Sequence, residues 1–412
     1  MKFKRIIWLF LILNLYGNVV NLIRINSQVI SFPYEEIMIV ILQTFITLIS
    51  VICFVQFLTL ESPLKNISKK LFSFFSLILI VNIYSSITGI INGYSDKVIP
   101  DFITFINGPI IALSISALAI NIKQLKIINK IIANYLLIIF LGSFIIVYFE
   151  LALRLRIYPA LNPTVFAFII PYFYFNQLTK KWIFSFILLL LGLKRSVLLA
   201  FLITVFPFRL AMKKKVKLNN AILRSTVSSL ITIVIMLYSF SLLEEQKGSF
   251  ASTMVNKFST VNPFSNKFDF KLGSGERVEE VTQSIKAVEN LEFGLLLGAG
   301  NGFTYELNID RKDYFEGEHH NVHFSPVLYI TRYGIPVALL FYGFLFYMVS
   351  IGIKRFRNEK TLYPWIFYAI FGIFSSFFSF SFSSDILFWI SIGVLMNNVL
   401  YKEYLNNKIC VE

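Results

Sequence analysis

Charge is what this sequence has least of. Only 15% of its 412 residues are Asp, Glu, Lys or Arg, against 56% hydrophobic, and the mean hydropathy is +0.71. A soluble chain of this length divides into two or three domains and carries far more charge, so that class is excluded. Cysteine is nearly absent. Cys53 lies inside an apolar run and Cys410 in the C-terminal tail, which leaves no disulfide framework or cysteine metal site. Alternating ten-residue segments are missing, and with them a transmembrane barrel. No internal repeat of two matching halves is found. The formal charge of +15 does not point to nucleic acid, because the basic residues sit in short clusters between apolar runs.

What is present is a series of apolar runs near 20 residues long, rich in Ile, Leu and Phe. Such a run spans about 30 Å of hydrocarbon as a helix, and helices are the remaining structure that satisfies its backbone in lipid. The spacing predicts twelve spans: 6–23, 37–60, 71–91, 102–120, 131–150, 160–175, 182–193, 197–210, 218–242, 325–353, 362–380 and 386–401. The first has a basic start but no small-residue cleavage site, so it reads as a retained helix. The expected organisation is nine helices over 1–242, a large extracytoplasmic loop over 243–324, and helices ten to twelve with a cytoplasmic tail over 325–412. The fold class is therefore all-α integral membrane, with about twelve transmembrane helices.

The short connections decide the orientation. Lys2, Lys4, Arg5, Lys65, Lys69, Lys70, Lys123, Lys126, Lys130, Lys180, Lys181, Lys213–Lys215 and Lys354–Arg357 fall on one side, which puts both termini in the cytoplasm. The long loop then faces outward. It carries thirteen acidic and eight basic residues. Within it, Val278, Val281, Ile285, Val288 and Leu291 keep a helical period, and a glycine-rich turn follows over 295–303.

A few basic residues oppose this rule by lying in short outer loops. Arg154 and Arg156 precede Asn162-Pro163, and Lys194-Arg195-Ser196 joins the seventh and eighth helices. Snorkelling to lipid head groups accounts for such residues. So does an outer-face site for an anion, since the arginine fork pairs bidentately with phosphate oxygens. Asn162-Pro163 also suits a helix start, and Asp385 a helix cap. The segment 298–302 has glycines too regularly spaced, and no flanking strand and helix, for a nucleotide loop; as residues it reads as a structural turn. All three histidines lie in 319–323. Their i, i+1, i+4 spacing suits metal on a helix poorly. Acid–base chemistry where the polar loop re-enters the membrane is the better reading.

Taken in order, these elements resemble the O-antigen ligase and polymerase superfamily of bacterial envelope biogenesis, over roughly residues 154–352. The matching positions are Arg154, Arg156 and Asn162-Pro163; Lys194-Arg195-Ser196; Arg277 opening the loop helix with the glycine turn after it; and His320-Asn321 before a helix containing Gly334. Lys194 stands where a small residue is usual, and Thr164 where Asn is common. The resemblance implies a glycosyltransferase of the bacterial cytoplasmic (inner) membrane that polymerises undecaprenyl-pyrophosphate-linked repeat units of O-antigen or capsule by block transfer at the outer face. It implies inversion at the anomeric carbon, with no metal and no cofactor. His320 and Arg195 are the implied catalytic residues. Arg154, Arg156, Lys194, Arg277, Asn321, Gly298 and Gly300 are the implied pyrophosphate and sugar contacts. The implied partners are the lipid-linked oligosaccharides, membrane lipids, a chain-length regulator and a flippase, and no nucleic acid.

Two alternatives stay open. A ligase would use the same donor chemistry but move the finished polysaccharide to lipid A-core or protein. A flippase or other transporter would carry ionisable residues near mid-membrane and repeated halves, and here the spans read as almost uncharged.

Overall fold

The computed structural model describes residues 2–27, 35–60, 68–152, 161–192, 194–212, 277–307, 317–322, 324–378 and 385–409. The described chain is almost wholly helical. Helices α1 (Lys2–Ser27), α2 (Glu35–Leu58), α3 (Lys69–Ile91), α4 (Ser95–Ala117) and α5 (Ile122–Ala152) come first. Then follow α6 (Phe166–Phe175), entered through a 3₁₀ turn at Pro163–Val165, α7 (Thr179–Leu191) and α8 (Arg195–Met212). The ninth expected span, 218–242, and the loop up to residue 276 lie outside the described residues.

After that gap come α9 (Arg277–Glu289), where the sequence periodicity places the loop helix, and a single turn at Gly294–Leu297. Two short antiparallel strands follow, β1 (Tyr305–Leu307) and β2 (Gly317–His319), in the register Tyr305↔His319. The chain returns to the bundle through α10 (Ser325–Tyr333), α11 (Ile335–Phe356), α12 (Tyr363–Ser376), α13 (Ile386–Leu395) and α14 (Asn398–Ile409).

Six described helices, α1 to α5 and α11, are long and apolar enough to cross a membrane; α6, α8 and α13 are apolar but shorter. A ten-residue helix such as α13 rises about 15 Å, half a hydrocarbon core. Two expected spans are each divided. The run 325–353 breaks at Gly334, whose φ is 82° and whose missing Cβ would stand 2.1 Å from the carbonyl oxygen of Leu296. The run 386–401 breaks at Asn397, whose amide donates to Ile115 O at 3.0 Å and Leu118 O at 2.8 Å at the end of α4. Hydrophobicity alone cannot register either break, because both are set by a neighbouring backbone.

The centre of the bundle is α4. Of its span, 61% is buried, against 22% for α2 on the periphery. It packs against α2, α3 and α13. Gly108 lies directly under the indole of Trp389 in α13, so a small residue lets the two helices close. A second layer sets α12 against α6, α8 and α13. A separate apolar cluster, with Val288, Phe303, Tyr305, Leu307, Val322 and Leu328 at its heart, holds the cap formed by α9, the glycine turn and the strands.

Candidate functional site

Residues 161–165 meet residues 191, 192 and 194 in the structure. Tyr148 of α5 donates its hydroxyl proton to Leu191 O at 2.8 Å. Gly192 closes α7 against Pro163, where a Cβ would stand 3.0 Å from the proline ring. That approach brings Lys194 Nζ to 3.5 Å from Asn162 Oδ1. Both side chains line a cavity of about 220 Å³. Thr164, Tyr368, Ser375 and Asp385 contribute to its polar wall, with Asn14 and Asn18 of α1. Phe10, Leu13, Leu42 and Ile46 of α1 and α2 make an apolar wall.

Asp385 has two roles in this wall. It caps α13, its Oδ1 accepting from the Phe388 amide at 3.1 Å, as the sequence reading of a cap expects. Its Oδ2 accepts from the Tyr368 hydroxyl at 2.9 Å, and Tyr368 is also hydrogen-bonded to Thr164. The chain Thr164–Tyr368–Asp385 thus ties α13 and α12 to the Asn162-Pro163 turn.

A second cluster fastens the cap to the bundle. Asp101 in α4 and Arg332 in α10 form an ion pair at 3.1 Å, each side chain 7% exposed. His320 joins it, with Nε2 3.0 Å from Asp101 Oδ1 and 3.3 Å from Arg332 Nη2. The other ring nitrogen, Nδ1, is 3.0 Å from the carbonyl oxygen of Phe303. A carbonyl only accepts, so Nδ1 carries a proton. Arg332 Nη2 also donates to Asn321 Oδ1 at 3.0 Å. The remaining Asp101 oxygen accepts from the Gly302 amide at 2.7 Å.

The glycine turn is threaded through the same place. Gly298 N donates to Gly294 O, Ala299 N to Thr331 O, Gly300 N to Arg332 O and Asn301 N to Ser85 O. Asn301 is fully buried and reaches Asn82 Oδ1 at 2.8 Å, while its own Oδ1 accepts from Tyr333. At Gly300, φ is 97° and a Cβ would stand 2.2 Å from Gly89 N. The turn is a backbone wedge between α3, α4 and α10.

The two clusters are joined through the end of α12. Arg277 Nη1 donates to the carbonyl of Phe378, and the ring of Phe324 lies 6.4 Å from that of Phe377. Ser375, just before them in the chain, lines the cavity. The cap that carries His320 therefore rests on the end of α12, the helix that also gives Tyr368 and Ser375 to the cavity wall.

The expected site residues divide accordingly. Lys194 lies in the cavity, whereas Arg277 is not among the cavity residues and donates instead to the carbonyl of Phe378 after α12. Arg195 opens α8 immediately after Lys194, but its side chain lies outside the described residues, as do Arg154 and Arg156. Gly298 and Gly300 have their amides engaged by the carbonyls of Gly294 and Arg332. Asn321 holds Arg332 through its side-chain oxygen. His320 has both ring nitrogens in hydrogen bonds within the cap latch, and it is not among the cavity residues.

The sequence reading missed Asp101 and Arg332. The spacing starts the fourth span at residue 102, whereas α4 starts at Ser95 and takes Asp101 into its second turn. The available signal was the charge itself, since an ionisable residue in an apolar helix implies a partner.

Fold and site together define an all-α, multi-pass membrane protein with a polar cavity between helices and a charge-latched cap. No protein-family model, curated protein or solved structure matches the chain. Among the described residues, no three His, Cys, Asp or Glu side chains gather to hold a metal ion.

Proposed function

We propose that the chain is a glycosyltransferase of the bacterial cytoplasmic membrane, a polymerase that joins oligosaccharide repeat units carried on polyprenyl pyrophosphate. The observation that carries this reading is the convergence of Asn162 and Lys194 on one polar cavity with an apolar wall. They come from the two middle elements of the motif order, and their meeting is what a single donor site needs. The apolar wall from α1 and α2 suits the lipid tail. Lys194 meets the pyrophosphate, with Arg195 next in the chain and Arg277 on the end of α12 beyond Ser375. A pyrophosphate is a weak base, so it leaves without a general acid, and fixed cations stabilise the charge that develops.

The cavity is smaller than the roughly 300–1,000 Å³ that enclose a drug-sized ligand. A cavity of this size suits the reacting end of the donor, with the growing chain outside. The latch of Asp101, His320 and Arg332 fastens the cap to the same bundle.

The test is deletion of the gene in its native host, followed by gel analysis of surface polysaccharide. Loss of the long-chain ladder, with single repeat units still reaching the final acceptor, is the expected result. Full polymer stranded on the lipid carrier makes the protein a ligase instead. Repeat units trapped on the inner face make it a transporter.

A further inference from the structure

We propose that Asp385 is the group that takes the proton from the acceptor sugar hydroxyl, an assignment that rests on the glycosyltransferase reading. Three observations lead to it. Asp385 lines the cavity together with Lys194 and Asn162. Its carboxylate accepts from Phe388 N and Tyr368 Oη, and from the amide of Leu387. A carboxylate has about four acceptor positions, so these donors leave one for a sugar hydroxyl. And His320, the other candidate, has both ring nitrogens engaged in the latch with Asp101, Arg332 and Phe303.

Capping alone does not explain the residue. Ser or Asn caps a helix as well as Asp does, without placing a carboxylate beside the apolar residues Ile386 and Leu387 inside a bundle. The hydroxyl of Tyr368, itself held by Thr164, fixes the orientation of the carboxylate.

The step balances as follows. The acceptor hydroxyl oxygen attacks the anomeric carbon of the lipid-linked sugar and forms the new C–O bond with its own electron pair. The bond from that carbon to the pyrophosphate oxygen breaks, and its pair leaves on the polyprenyl pyrophosphate beside Lys194. The hydroxyl proton passes to Asp385 and is later released to water. Nothing is oxidised or reduced.

Asp385→Asn separates the roles, because Asn keeps the cap but is not a base. In the deletion host, this variant is expected at wild-type membrane level, with polymer lowered about 100-fold or more. Lipid-linked repeat units should accumulate, and detergent-solubilised variant should still bind repeat units extracted from the deletion strain. In vitro, the acid limb of the kcat–pH profile should vanish in the residual activity of Asp385→Asn and persist in His320→Gln. The reverse pattern, or full polymer from Asp385→Asn, overturns the assignment. Should Asp385→Asn fail to reach the membrane, Asp385→Glu takes its place: reduced activity with a displaced acid limb supports the assignment, and an unmoved limb overturns it. Failure of the underlying reading looks different, because then the deletion strain itself keeps its normal polysaccharide or traps repeat units on the inner face.

Discussion

Asp101 and Arg332 are buried charges, and each is tolerated because it is paired, with the other and with His320 or Asn321 beside it. Removing one partner of such a pair costs about 3–5 kcal/mol, since it leaves an uncompensated charge, whereas replacing both with apolar residues costs far less. Asp101→Ala is therefore expected to lower thermal stability in detergent by an amount in that range. Asp101→Leu combined with Arg332→Met should lose less than the two single changes added together, which unfolding curves of all three variants will show. Gly300 is equally constrained, by space and not by charge. Its φ is 97°, and the Gly89 nitrogen 2.2 Å from where a Cβ would stand leaves no room for a side chain. Gly300→Ala should destabilise the protein by about 2 kcal/mol or more, on the scale of about 1–3 kcal/mol for each strained backbone position. A melting temperature indistinguishable from wild type would contradict the wedge.

Elements are placed by single polar contacts between them. Asn397 ends α13 and ties it to α4 through Ile115 O and Leu118 O, while its Oδ1 caps α14 at the Leu400 amide. Asn397→Ala strands buried carbonyls, at about 1–3 kcal/mol, and should be read as a fall in melting temperature. The cap helix α9 rests on the bundle through Arg277 and the carbonyl of Phe378. Arg277→Ala should make α9 accessible to protease in membrane vesicles well before the bundle is cut. On the proposed function it should also raise KM for the lipid-linked donor more than it lowers kcat. An equal loss in kcat and kcat/KM would place Arg277 in the transition state instead.

For the whole molecule, the orientation proposed from the charge pattern has the connection between α3 and α4 outside and that between α4 and α5 inside. Single-cysteine labelling checks this with Cys410 changed to Ser, since Cys53 is buried. Asp96→Cys should react with a membrane-impermeant maleimide in intact cells, and Lys126→Cys only after permeabilisation. The opposite result would invert the topology and move the cavity rim and cap to the cytoplasmic face, away from any outer-face sugar chemistry.

The sequence by itself determined the class of the protein. Apolar runs of membrane length dictate helices because lipid offers the backbone no other partner, and that argument needs no knowledge of contacts. It also located α9 from its period, Lys194 as a basic residue out of place in a short loop, and Asn162 as a helix start. Only the tertiary structure decided what those residues meet. Asp101 finds His320 and Arg332 more than two hundred positions away, the glycine turn proves to be a wedge between helices, and Asp385 joins a cavity wall as well as capping a helix. The reason is physical. Transfer into lipid depends on local composition and can be read along one segment, whereas pairing a buried charge depends on which helices lie side by side.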